Sequence, residues 1–541
     1  MTDPKSLDLL LQAKADFDKA GIERYPMEQQ CLLNRAAFHG YPIEWTKNRG
    51  GIVTSTISSN MNRSQANFNL IYQAVRIVLA KLTSEQPVPL IMPASKDPED
   101  LVTALVAQRF ASWTWNQKKT WTGEMPRKGI QAIWLWSIFD GSSFCGIYYN
   151  PASDSVELEP ISLFEIYPER GKRSIAECSY VDRVFKRSRS YIEKRYPDVV
   201  LPAKDKEPIG GTSNTTTQDQ IQNLLSGTPF VSGGSRPTDV SSYVIVERWW
   251  ADKVLKGIVN TDEPILIADD PNDYGEIPFV QFDYEFVPDR WNGQSPIQES
   301  ITPNTIYTFL HQLRIDLVKI AMNPPQLDPV MSETAERTSW KPGERVTFDP
   351  TFGEPHFMPP PIEPQYVEQE MAEMKELVMA NFGVFEASQG QAPFAGVSGR
   401  ALSRMYAFDE GKFGPILARA HESYAACYQQ ILNRCKLIST EVSFRTLGNV
   451  GRPQIETFNK AQMDKHYDVV ASTGTLMETD KQAKREFVLK LMGNPLLCQE
   501  LGVNKLLKMY DMPTMDDEMN PEANEMSLID LENSQMLAGE F

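Results

Sequence analysis

The stretch TPNTIYTFLHQLRIDLVKIAMNPP, residues 302–325, opens with Thr302 as a cap and Pro303 in the first turn. Proline's missing N–H costs nothing at that position. Ile306, Phe309, Leu310, Leu313, Leu317 and Ile320 then recur at helical spacing. Asn323-Pro324-Pro325 is a hard stop, because proline removes a donor and disfavours helix in the residue before it. About forty residues of strand and turn character follow, with strand-like 345–348 and a rigid MPPPIEP. A second helix is predicted over 365–382 with Val367, Met371, Met374 and Val378 as its stripe. Its other faces carry Glu368, Glu370, Glu373 and Glu376 against Lys375 alone. A short loop rich in Gly, Ala, Ser and Gln spans 386–397. Beyond it a long helix starts near Ser398 and runs toward Leu437, with Gly411, Gly414 and Pro415 expected to kink it.

Working outward, residues 67–82 predict a helix with Phe68, Ile71, Tyr72, Val75, Leu79 and Leu82 on one face. Asp97-Pro98 opens another, with Leu101, Val102, Leu105, Val106, Phe110 and Trp113 as its apolar face. Half of the ten tryptophans fall at 113–136, which fits a core or subunit contact better than ligand stacking. Strand patterns occupy 144–149 and 156–166, then 243–250, 265–268 and 277–284. Between them, Arg183, Lys186, Arg187, Arg189, Lys194 and Arg195 form a basic cluster interleaved with Glu193 and Asp198. That mixture suits a solvated helix face more than a nucleic-acid site. Residues 204–242 have the composition of a long surface loop. Short strands are expected at 441–446, 454–459 and 467–471, and helices at 480–492 and 495–509. The last 31 residues hold nine acidic and no basic side chains, a solvated tail in composition. The element order implies an α+β class.

Across 541 residues, 54 Lys+Arg oppose 71 Asp+Glu, a net charge of −17. That balance disfavours a protein that coats DNA. The six cysteines form no CxxC pair, and the five histidines are scattered, so a disulfide framework or zinc site is not expected. No apolar run spans a bilayer and the N-terminus lacks signal-peptide order, which predicts a soluble intracellular protein. No GxxxxGK[ST], HExxH, GxSxG or dinucleotide fingerprint is present. Asp269/Asp270 and Asp516/Asp517 read as solvated charge rather than a Mg²⁺ site. No catalytic residue, metal or cofactor is expected.

The order of the central segment, with Gly396-Val397-Ser398-Gly399-Arg400-Ala401 and the run to Phe413-Gly414-Pro415, resembles tailed-bacteriophage portal (head-to-tail connector) proteins of podovirus type. The stretch 184–197, with RSYIEKRYP, is similar to a segment in the wings of such portals. The resemblance covers about 60–509; the 204–242 insertion and the acidic tail depart from it.

It implies a portal fold: an N-terminal part and wing over 1–293, a first stem helix over 294–322 and a small α/β clip over 323–364. A second stem helix (365–385), a tunnel loop (386–397), a long kinked helix with wing return (398–475), crown helices (476–510) and the tail (511–541) follow. It also implies a homo-oligomeric ring, a dodecamer, at one capsid vertex of the virion, assembled in host cytoplasm. The ring would be the channel for double-stranded DNA in packaging and ejection. Its partners would be the terminase large subunit, tail or adaptor proteins, and the major capsid and scaffolding proteins, with no membrane. Ser388, Gln389, Gly390, Gln391 and Phe394 would touch the duplex. Arg314, Lys319, Glu368, Glu373, Lys375 and Glu376 are channel-lining candidates, with salt bridging between subunits the competing role. A metal-dependent nucleic-acid-processing enzyme and another phage adaptor or tail protein are the alternative readings.

Overall fold

The computed structural model describes residues 4–41, 43–47, 53–57, 68–84, 88–92, 98–122, 126–197, 199–202, 242–261, 263–322, 326–327, 351, 356–357, 365–384, 399–439, 442–447, 453–458 and 468–472. Met1–Ala471 forms one compact unit; of the second, Ser472–Phe541, only Ser472 is described. The predicted strand at 345–348, the loop at 386–397 with Ser388, Gln389, Gly390, Gln391 and Phe394, and the helices at 480–492 and 495–509 lie outside the described residues. So do nearly all of 204–242 and the whole acidic tail.

Eight described helices surround antiparallel sheets: α1 Pro4–Phe38, α2 Leu70–Ser84, α3 Pro98–Asn116, α4 Pro126–Asp140, α5 Arg189–Arg195, α6 Pro296–Met322, α7 Gln365–Asn381 and α8 Gly399–Cys435. This is the mixed helix-and-sheet class expected. Three strands, Phe279–Asp283, Ser142–Asn150 and Ser155–Ser162, pair in that spatial order. Five more, Ile265–Pro271, Lys253–Ile258, Ser242–Trp250, Tyr180–Ser188 and Ile166–Pro168, form a second sheet in that order. The Lys253–Ile258 strand was not anticipated. Its Gly257 lets α1 approach closely: a Cβ there would sit 2.5 Å from both Leu10 δ-carbons.

The main core gathers α2, α3, α4, α8 and the three-stranded sheet, with Trp115, Trp121 and Trp134 almost wholly buried. The core role expected of the tryptophans is therefore the one these three fill. Trp134 Nε1 donates to the Tyr424 hydroxyl at 2.9 Å, tying α4 to α8. Arg434, wholly buried on α8, donates to Glu276 and lies 4.4 Å over the Tyr274 ring.

α1 is a helix that hydrophobic periodicity does not reveal. Its buried side carries Arg24, Glu28, Asn34 and Arg35 among Leu10, Ala13, Phe17 and Leu32, so polar residues interrupt the stripe. Glu28 pairs with Arg24 one turn away at 3.5 Å, and the other three reach across to neighbouring elements. Arg24 donates to the carbonyls of Leu163 and Ile166, Asn34 to that of Phe139, and Arg35 pairs with Asp140.

Four expectations are corrected. α2 buries Ile71, Val75 and Leu82 as expected but also Leu70, Ala74 and Val78, while Tyr72 is exposed, so the buried face is wider than the apolar stripe and shifted away from Tyr72. α3 buries Ala104, Ala107, Phe110, Ala111 and Trp115 and leaves Leu105 exposed, since small alanines seat it against the core. Helix α6 starts at Pro296, so Pro303 lies inside it rather than in its first turn. Arg183 belongs to a strand, not a helix face. It is buried, with Glu159 2.7 Å and Glu165 3.3 Å away to compensate its charge.

Candidate functional site

The α6–α7 pair is anchored at its base and, among the described residues, largely uncovered above it. Ser295 starts α6: its hydroxyl donates to the Ile138 carbonyl at 2.6 Å and accepts from the Ile297 N–H at 3.2 Å. Ile297 and Ile301 are buried in the main core. Asn304 extends the anchor by accepting the Leu70 N–H at 3.0 Å, which satisfies a free donor at the start of α2. On the returning helix, Met371, Val378, Met379 and Phe382 are buried and Asn381 donates to the Ser300 hydroxyl at 3.3 Å. Gly383, at φ +66°, ends α7 in the left-handed region, and the Val384 N–H closes back onto the Met379 carbonyl.

Beyond Pro303 the environment changes. From Asn304 to Met322 no described side chain of α6 is buried. The expected stripe of Ile306, Phe309, Leu310, Leu313 and Leu317 is thus half or fully open; Phe309 is 56% exposed. A second apolar set, Ile315, Val318 and Met322, lies about half a turn round the helix at about 100° per residue. Met322 is 83% exposed, and this flank forms a shallow groove of about 390 Å³ with His311, Arg314 and Lys319. His311 stacks on Phe68 at 4.2 Å, and its imidazole is held below the usual histidine range by burial, then by the charge of Arg314. The second flank was missed because its three residues fall off the main stripe, although Ile315 and Val318 were visible as unplaced apolar residues.

The structure brings two of the candidate charges together. Arg314 reaches Glu368 across the pair at 2.9 Å, both well exposed. Lys319 pairs with Asp316 on its own helix at 3.0 Å, and Glu373 accepts from Gln369 at 3.2 Å. Lys375 and Glu376 are exposed, as are Glu368, Glu370 and Glu373. Exposed pairs of this kind contribute little to stability, typically about 0–1 kcal/mol. Gly411, Gly414 and Pro415 lie within the continuous helix α8. Among the described residues no group of three or more acidic, His or Cys side chains could hold a metal, and no helix is long and apolar enough to cross a membrane.

Residues 319–532 match the family model described as Phage P22-like portal protein, in agreement with the resemblance carried by the central segment. A solved structure described as the neck of an empty GTA particle, computed with C6 symmetry, is similar at 11% identity and a TM-score of 0.41. The likeness covers 84% of this chain and 92% of that one. No curated protein matches the chain.

Proposed function

We propose that the chain is the subunit of a portal ring at one capsid vertex of a phage particle, a dodecamer whose lumen passes double-stranded DNA during packaging and ejection. The observation that carries this reading is the anchored α6 with apolar residues on two opposite flanks, taken with the portal-family match. In a closed ring each subunit offers one face to the neighbour ahead and a different face to the one behind. A helix with two bare apolar flanks suits that role, whereas one flank alone would suit a two-fold dimer.

In this reading α6 and α7 are the stem, 386–397 is the loop facing the duplex, and the exposed glutamates of α7 keep the wall from gripping phosphate. The connection at 323–364 would dock the terminase and later the tail adaptors. Its ends are drawn together where Gln326–Leu327 pairs with His356–Phe357. The subunit would act as a conduit, with motor chemistry supplied by its partner. Negative-stain electron microscopy of the purified full chain tests this. Closed rings with a central hole of duplex width are expected; a uniform population of monomers or two-fold dimers under assembly conditions overturns it.

A further inference from the structure

The five-stranded sheet has two faces with different fates. α1 covers one, packing Leu10, Ala13 and Phe17 on Val184, Val244, Val246 and Leu255. The other is covered by α5 and the following turn only where Phe185, Ile192, Tyr243, Ile245 and Ile258 cluster. Between that cover and the hairpin of Ser142–Asn150 with Ser155–Ser162, a cleft of about 620 Å³ stays open.

Its charges divide into two groups. Deep in the cleft they are compensated: Arg183 by Glu159 and Glu165, and Lys256 by Glu247 at 3.6 Å. On the α5 wall they are not. Lys194 and Arg195 on α5 are exposed and make no ion pair among the described residues; Arg187, on the adjoining Tyr180–Ser188 strand, makes none either, although its charge acts on Glu165. Aromatic rings lie beside them. Arg187 sits 4.6 Å from the centroid of Phe185 and 5.3 Å from that of Tyr191, and the Tyr191 ring is 41% exposed. In the floor, Arg183 Nε and Trp249 Nε1 are buried donors without an acceptor. A buried polar group without a partner is costly, so the floor lacks something that would complete it.

We infer that this cleft is a docking site for an acidic peptide segment of a partner protein, with an aromatic side chain of that segment seated among Tyr148, Tyr191 and Trp249. The two unpaired cations of α5, with Arg187 beside them, recognise carboxylates. The rings accept a flat apolar anchor, and the anchor in its pocket supplies most of the affinity. Charge complementarity is local: a chain of net charge −17 repels acidic partners elsewhere and steers them here. A nucleic-acid strand needs cations along a continuous track for successive phosphates, whereas the unpaired cations here are confined to one side of a single cleft beside aromatic rings. These features favour a peptide over nucleic acid.

The test uses the full-length protein and a fluorescein-labelled peptide of Glu and Asp around a central Tyr, read by fluorescence anisotropy at low salt. Lys194→Glu with Arg195→Glu should weaken binding by about tenfold or more, since reversing two rim cations turns attraction into repulsion. Reversing the exposed Lys118 and Lys119, which lie outside the cleft, should leave binding unchanged. Replacing the peptide's Tyr by Ala, or Tyr191 by Ala in the protein, should also weaken it. Circular dichroism checks that each variant is folded. Absence of binding, or equal loss in both charge-reversal variants, overturns the inference. Indifference to both aromatic changes also overturns it, as does tighter binding of a single-stranded oligonucleotide that the cleft reversal abolishes.

Discussion

Arg35 and Asp140 join α1 to the end of α4 as a buried pair, with the Arg35 Nε 3.0 Å from Oδ1. Burial pushes the Asp140 carboxyl above its ordinary value, and the charge and hydrogen bonds of Arg35 pull it part of the way back. A carboxyl with a raised folded-state pKa contributes stability below the unfolded carboxylate range and loses it as pH rises through the folded value. Removing Arg35 takes away the compensation, so the folded value climbs further and the loss at neutral pH grows. Arg35→Met, which keeps much of the packing against Phe164, should therefore cost about 3–5 kcal/mol at neutral pH. The deficit should shrink as the pH falls and Asp140 takes up its proton. Urea unfolding at neutral and mildly acidic pH measures both; a deficit that stays constant or widens in acid would remove Asp140 as its cause. The same pair explains why α1 was illegible: a stripe interrupted by Arg24, Glu28, Asn34 and Arg35 has no apolar period to read. Arg183 was misplaced for a related reason, because its compensating Glu159 and Glu165 come from other parts of the sheet layer.

At the scale of elements, the parts written locally were legible and those decided by partners were not. The proline-bounded helices α6 and α7, the long α8 and most strands are visible in the period of the sequence, since caps, breakers and alternation act within a few residues. Whether the α6 stripe is buried depends on what lies across from it. Among the described residues, from Asn304 upward, nothing covers it fully. That gap gives a prediction. Phe309→Asp with Leu313→Asp should leave the helical circular-dichroism signal and the unfolding midpoint of the isolated subunit nearly unchanged, because both side chains are already exposed. Assembly should be lost, as two charges placed in an apolar contact cost several kcal/mol per interface. Multi-angle light scattering after size exclusion separates the outcomes. A double variant that still assembles like the parent would place the subunit contact elsewhere.

For the whole molecule, the charge of −17 takes on meaning only with position. Its composition disfavours a DNA clamp, yet a conduit benefits from a wall that does not hold phosphate, since every phosphate neutralised adds salt-dependent affinity that slows sliding. The structure places Glu370, Glu373 and Glu376 in solvent on α7, and these carboxylates make no ion pair among the described residues. If they face the lumen, they act as a non-adhesive lining. Glu373→Gln with Glu376→Gln then raises the affinity of assembled rings for a short duplex at low salt and steepens its dependence on salt. Glu368 is left in place, because its loss would release Arg314 and confuse a new attraction with a lost repulsion. The gain should vanish at high ionic strength, where charges more than about 3–10 Å apart are screened from one another. Duplex binding by rings of unchanged size, titrated across salt, is the measurement. Equal affinity and equal slope in parent and variant would turn the acidic face of α7 away from the lumen, toward a neighbouring subunit.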